Sequence, residues 1–246
     1  MLRLKFKAFF GRIVRIFTLF PLRFLRLLRH FWRGVTFQIT SKEYWKDETV
    51  EKNGVYVSVI WLTEIGVLFL ELLGVGELYE SLNDFVKFNN RPLTSKEIEL
   101  AKSIYQNSID YQAVRIDERA WAGPKQYHFC YVSFNLINSW GPMRPPIFIH
   151  EMMHIWQYQQ MGAIYMIRAL LAQHSQMGYN YGGVATIRHK MATGQTLFDF
   201  NLEQQAEVVT DYFLLKSGQR PQWGMAMVKD ISDYENILTA LMKKFN

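Results

Sequence analysis

Of the six histidines in this 246-residue chain, His150 and His154 stand one helical turn apart, with Glu151 directly after the first. In a helix, positions i and i+4 share a face, so both imidazoles can reach one ion while the neighbouring carboxylate lies beside it. Imidazole nitrogens hold Zn²⁺ at about 2.0 to 2.1 Å, and a carboxylate so placed can take a proton from water at the metal. Two partly buried histidines on a core helix would leave the same string, so a third ligand has to decide.

Catalytic zinc keeps three protein ligands and one open place. The lone Cys130 excludes an intramolecular disulfide and a thiolate ligand set, and as an isolated thiol in an aromatic run it reads as inert packing. A downstream carboxylate is the better source. Residues 201 to 213 carry apolar side chains at 202, 206, 209 and 213 with no Pro or Gly before Gly218, which predicts a helix. Glu203, Glu207 and Asp211 then form one acidic stripe without a Lys or Arg. Such a stripe repels itself unless a cation sits against it or water solvates it.

The string His150-Glu151-Met152-Met153-His154 followed by Glu203-Gln204-Gln205-Ala206-Glu207 resembles the gluzincin arrangement of zinc metallopeptidases. More narrowly, four segments in order resemble the Vgr- and Rhs-related zinc metallopeptidase family of bacterial contractile injection and type VI secretion systems. They are Arg91 to Glu97, Ile109 to Ile116, Ile149 to Gln157 and Leu202 to Glu207, within a run from Arg91 to about Ser217 that is about half of the chain, with no counterpart for residues 1 to 90. The resemblance implies an α+β, zincin-like domain with a small antiparallel or mixed sheet, and Zn²⁺ held by His150, His154 and Glu203. Glu151 is then the catalytic base, with Glu207 and Asp211 in supporting positions. Glu stands at 207 where many relatives have Asp, so the choice of Glu203 or Glu207 as third ligand stays open. The implied activity is hydrolysis of a peptide or protein. The alternative is a zinc-stabilised adaptor or delivery protein of the same system, in which Glu151 would have no task. The implied setting is bacterial, at the inner membrane or its periplasmic side, or delivered by a secretion system.

The elements that must position these residues divide the chain at 1–35, 36–90 and 91–246. Residues 1 to 35 hold nine basic side chains and no acid, so a net charge of +6 leaves −3 for the rest. Arg12, Arg15, Arg23, Arg26, Arg29 and Arg33 keep to one side of a helical wheel, with Phe9, Ile13, Phe17, Phe20, Phe24 and Leu28 over much of the remainder and a kink or restart at Pro21. This predicts a basic amphipathic helix lying on an anionic membrane surface or docked on a secretion-system protein. The width of the apolar face argues against nucleic acid.

Val35–Ile39 and Val55–Leu62 read as strands, separated by the charged run Lys42–Lys52 and an Asn53-Gly54 turn. Residues 55 to 76 are long enough to span a bilayer, but Glu64 and Glu71 make a buried strand followed by a helix the better reading. Thr94 and Glu97 form a capping box that starts a helix. Asp110–Asp117 and Tyr127–Leu136 read as strands, the second as the edge against which an extended substrate would pair, with His128 as packing. Pro145 and Pro146 open the His150 helix, Gly162 ends it, and Ala163–Gln176 follows as a helix whose Met166 and Leu170 join Trp156 and Tyr158 in the core. Met177–Phe200 reads as a long functional loop from which Tyr181 or His189 would stabilise an oxyanion, and Gln222–Asn246 as one closing helix.

Overall fold

The computed structural model describes residues 2–36, 38–40, 54–87 and 89–242, so the Lys42–Lys52 run and Asn53 lie outside the described residues. Helix α1 (Leu2–Val35) runs through Pro21 as one helix, and a 3-10 turn (Gln38–Thr40) takes the place of the expected first strand. The expected second strand is also helical. Helix α2 (Gly54–Leu72) turns at Gly74 into α3 (Val75–Val86), and the two are bent by 63°. Val57, Ile60, Glu64, Leu68 and Glu71 are the buried residues of α2, a spacing of three and four that only a helix produces. The β-branched and aromatic run Val55–Leu62 is outweighed here because strand preference takes effect only beside a pairing partner.

Helix α1 packs against α2 and α3 with the opposite chain sense, Arg12 meeting α3 and Arg26 meeting α2. Three of its guanidinium groups face inward: Arg12 pairs with Glu80 and Asp84, Arg23 with Glu77, and Arg26 with Glu71. Arg12 and Arg23 are therefore unavailable to anionic headgroups, contrary to the helical-wheel expectation. Three acids of α2 and α3 are also bonded to the rest of the molecule. Glu80 accepts from the Asn135 amide, Glu71 from the Ala163 N–H, and Glu64 from Arg168.

The sheet is small and mixed, giving an α+β chain dominated by helix. Strand β1 (Asn90–Pro92) is antiparallel to β2 (Arg115–Asp117), β2 is parallel to β4 (Leu136–Asn138), and β4 is antiparallel to β3 (Tyr131–Ser133), in the order β1-β2-β4-β3. Helix α4 (Ser95–Tyr105) starts at the Thr94–Glu97 capping box as expected. The long strand expected over Tyr127–Leu136 is shorter and divided. Helix α5 (Pro124–Tyr127) takes its start, and Phe134 at φ 58° turns β3 into β4. Strand β3 is left at the sheet edge. His128 is exposed in the left-handed region after α5, so it does not pack in the core as expected.

Helices α6 (Pro145–Met161), α7 (Ile164–Gln173), α8 (Gly183–Ala192), α9 (Leu202–Lys216) and α10 (Ile231–Met242) complete the body. Helix α8 occupies much of the segment expected as a loop, and the closing helix begins at Ile231 rather than Gln222. Leu170 is exposed, unlike Trp156 and Tyr158. The core gathers Ile149, Met152, Met153 and Ile155 of α6 against Ala206, Val208, Val209 and Tyr212 of α9. That packing sets the spacing between the histidines and the acidic stripe.

Candidate metal centre

Helix α6 begins at Pro145, where a missing N–H costs nothing, and ends at Gly162, whose φ of 73° suits a residue without a Cβ. Helix α9 begins at Asn201, whose side chain caps the Gln204 N–H, with Gln204 reaching back to the Asn201 N–H. Glu203 falls in the first turn, where the helix dipole favours a negative charge. Every residue from Leu202 to Leu215 is buried, so the acidic stripe is not a solvated face.

Across the interface of α6 and α9, Oε2 of Glu203 lies 3.3 Å from Nε2 of His150 and 3.2 Å from Nε2 of His154. The three ligand atoms lie within 4.8 Å of one another. Oε2 of Glu203 is buried and has no hydrogen-bond partner despite those two close nitrogens. The edges of a tetrahedron with metal–ligand bonds of about 2.05 Å are about 3.3 Å long, so this spacing and the two-imidazole, one-carboxylate donor set fit zinc.

Each imidazole is held from its other nitrogen. Nδ1 of His154 is 2.8 Å from Oε1 of Gln157, whose own Nε2 donates to the Leu202 carbonyl and to Oε1 of Gln205. The Gln157 oxygen must therefore accept, so Nδ1 of His154 carries a hydrogen and Nε2 is the nitrogen left to face Glu203 or an ion. Nδ1 of His150 is 3.1 Å from Oε1 of Glu207, which directs that ring the same way. The other Glu207 oxygen accepts from the Trp223 indole at 2.8 Å. Glu203 thus faces both Nε2 atoms while Glu207 faces the far side of one ring.

The charges respond to this crowding. Burial opposes the protonated form of His150, but its contacts with Glu203 and Glu207 prevail and raise it to about 10. Burial likewise opposes the ionised form of Glu203, and the two histidines nevertheless hold it down to about 2. Without a metal the cluster is an internal ion pair. Burial raises the carboxyl of Glu151, with the two histidines pulling the other way, and its Oε2 is buried with no hydrogen-bond partner.

Asp211 touches neither histidine. Its carboxylate accepts from the Tyr181 hydroxyl and from the N–H groups of Gln222 and Trp223, so it braces the segment that carries the indole. Tyr181 is buried, with its hydroxyl bound to Asp211 and Tyr234, and cannot meet an oxyanion. His189 is exposed on α8, and no contact among the described residues connects it to the cluster. Two other rings flank the histidines: Tyr179, centred 6.1 Å from His150, and Tyr165, centred 5.6 Å from His154. Tyr179 is half-buried and its hydroxyl accepts from Gln173. Gln157, three residues after His154, was open to detection as a same-face partner. Trp223 lies sixteen residues beyond Glu207 and carries no local signal.

Comparison with known proteins gives one informative relative. The chain is 33% identical over 140 residues to the type VI secretion system spike protein VgrG2b of Pseudomonas aeruginosa, covering 52% of this chain and 13% of that protein. The chain therefore corresponds to a small part of its relative's length. No family model and no solved structure matches.

Proposed function

We propose that the chain is a zinc-dependent peptidase of the gluzincin type, with a zincin-like body, that works with a bacterial type VI secretion system. The observation that carries the enzymatic reading is the meeting of His150 Nε2, His154 Nε2 and Glu203 Oε2 around one point, with Oε2 of Glu203 lacking any hydrogen bond. The secretion-system reading rests on the similarity to VgrG2b.

When bound, the ion would supply Lewis acidity, lowering the pKa of water toward about 7 and polarising a scissile carbonyl. Glu151 takes the proton from the attacking water and passes it to the leaving amine; burial, which raises its carboxyl, favours the proton uptake that this role needs. Glu207 and Gln157 hold the two ring tautomers. The free edge of β3, which packs beside α6, is the place for an extended peptide to add its main chain. Tyr179 replaces Tyr181 and His189 as the side chain to face the developing oxyanion.

The unpartnered Glu151 oxygen favours this reading over a zinc-stabilised adaptor, because a structural site gains nothing from a buried carboxylate without a donor. The test is Glu151→Gln assayed on a peptide library beside elemental analysis. Retained zinc with turnover reduced by at least about a hundredfold is the expected result. Equal cleavage by both proteins would overturn the mechanism, and zinc content without cleavage by either would favour the adaptor.

A further inference from the structure

Charge in α1, α2 and α3 is sorted inside out. From Ala8 to Leu28 of α1, Arg12 and Arg23 are buried and Arg15 and Arg26 half-buried, and no exposed side chain carries a charge. The exposed positions there are Phe, Leu, Val, Thr, Pro and Gly, with Phe17 72% exposed. The same holds across the turn. All five acids of α2 and α3 (Glu64, Glu71, Glu77, Glu80 and Asp84) are buried, and residues such as Leu62, Phe69 and Leu82 look outward. A soluble helix pair puts its charges in water and its phenylalanines inside, which is the reverse of this order.

Ionisable groups face the interior and pair with one another when the surroundings are lipid. Protein partners, by contrast, meet surfaces that mix apolar patches with a polar rim. The stretch of α1 without an exposed charge is about 31 Å long at 1.5 Å per residue, and exposed cations stand just beyond it, Lys7 at one end and Arg29 at the other, with exposed Trp32 one turn after Arg29. The body fixes the orientation. It bonds to the charged sides of the helices along their length, through Asn135 at Glu80, Ala163 at Glu71 and Arg168 at Glu64. The uncharged sides are therefore turned away from it. No single helix among the described residues is long and apolar enough to cross a membrane. The bent pair Tyr56–Leu72 and Val75–Val86 passes that test together by length and composition, but the body bonded along the charged sides of the helices favours their lying lengthwise in lipid.

We propose that α1, α2 and α3 form a seat that embeds lengthwise in one leaflet of a lipid bilayer through apolar contact, with Arg12, Arg23 and Arg26 of α1 held in internal ion pairs rather than on headgroups. This inference is independent of the metal centre.

The test is flotation of the full chain with vesicles of neutral phosphatidylcholine in 0.5 M NaCl, where the protein is expected to float with the lipid. The double variant Phe17→Glu/Leu25→Glu, melting as the wild type does, is expected to lower the bound fraction at least tenfold, while Arg29→Glu changes it less than threefold. Binding only to vesicles that contain anionic lipid, with release by salt, would overturn the proposal in favour of electrostatic attachment. Wild-type protein that stays with the aqueous fraction, as an oligomer that the double variant dissociates or in any other form, would also overturn it. The wild-type comparison of lipids and salt decides the matter even where the double variant fails to fold.

Discussion

Three carboxylates on one buried helix face are tolerated because each has its own counterpart. Glu203 meets two imidazoles, Glu207 sits between His150 and the Trp223 indole, and Asp211 collects three donors. On the proposed reading, this distribution makes Trp223 and Gln157 supports of the metal centre that do not touch its ion. Replacing Trp223 by Phe keeps the ring and removes the N–H, so Glu207 loses its fixed position against His150. Replacing Gln157 by Leu leaves Nδ1–H of His154 buried without an acceptor. Loss of such supporting contacts weakens metal affinity by about 10- to 100-fold, and each variant is expected to fall in that range in a competitive zinc titration. Unchanged affinity in both would mean that the rings are oriented by packing alone.

At the scale of elements, α9 and the segment after it form one unit joined at Asp211. Burial raises Asp211 to about 6 from 3.8, although the Tyr181 hydroxyl and two main-chain N–H groups favour its ionised form. A group raised on folding contributes stability that is complete below its unfolded value, near pH 4, and is lost as the pH climbs through about 6. The size of the effect is up to about 3 kcal/mol, at about 1.4 kcal/mol per pH unit. Asp211→Asn cannot ionise. The stability difference between wild type and this variant, from urea unfolding, is therefore expected to move against the wild type between pH 4 and pH 7, whereas a constant difference would show that Asp211 is already ionised at pH 4. Helix α1 illustrates what local sequence withholds. Its amphipathicity is plain, but which face turns inward depends on Glu71, Glu77, Glu80 and Asp84, some 45 to 72 residues away from Arg26 and Arg12. The same non-locality turned Val55–Leu62 into helix, although Glu64 and Glu71, seven residues apart, already marked one helical face.

For the whole molecule, what could be read beforehand was what short-range rules govern. The His150 helix with its proline start and glycine end, the Thr94–Glu97 box and the acidic α9 all follow from spacing and capping. What could not be read depended on tertiary partners: the bond that occupies the Tyr181 hydroxyl, the helix inside the segment after Met177, and the division of the edge strand at Phe134. The central claim, that two helices far apart in sequence share one divalent ion, belongs to this scale. It is tested most directly by isothermal titration of zinc into metal-free wild type, Glu203→Gln and Glu207→Gln. One ion per wild-type chain is expected, with binding weakened by at least about a hundredfold in Glu203→Gln and by about ten- to a hundredfold in Glu207→Gln, the range for a group that only supports a ligand. Zinc binding by Glu203→Gln with wild-type affinity, or no zinc binding by the wild type, would contradict the account.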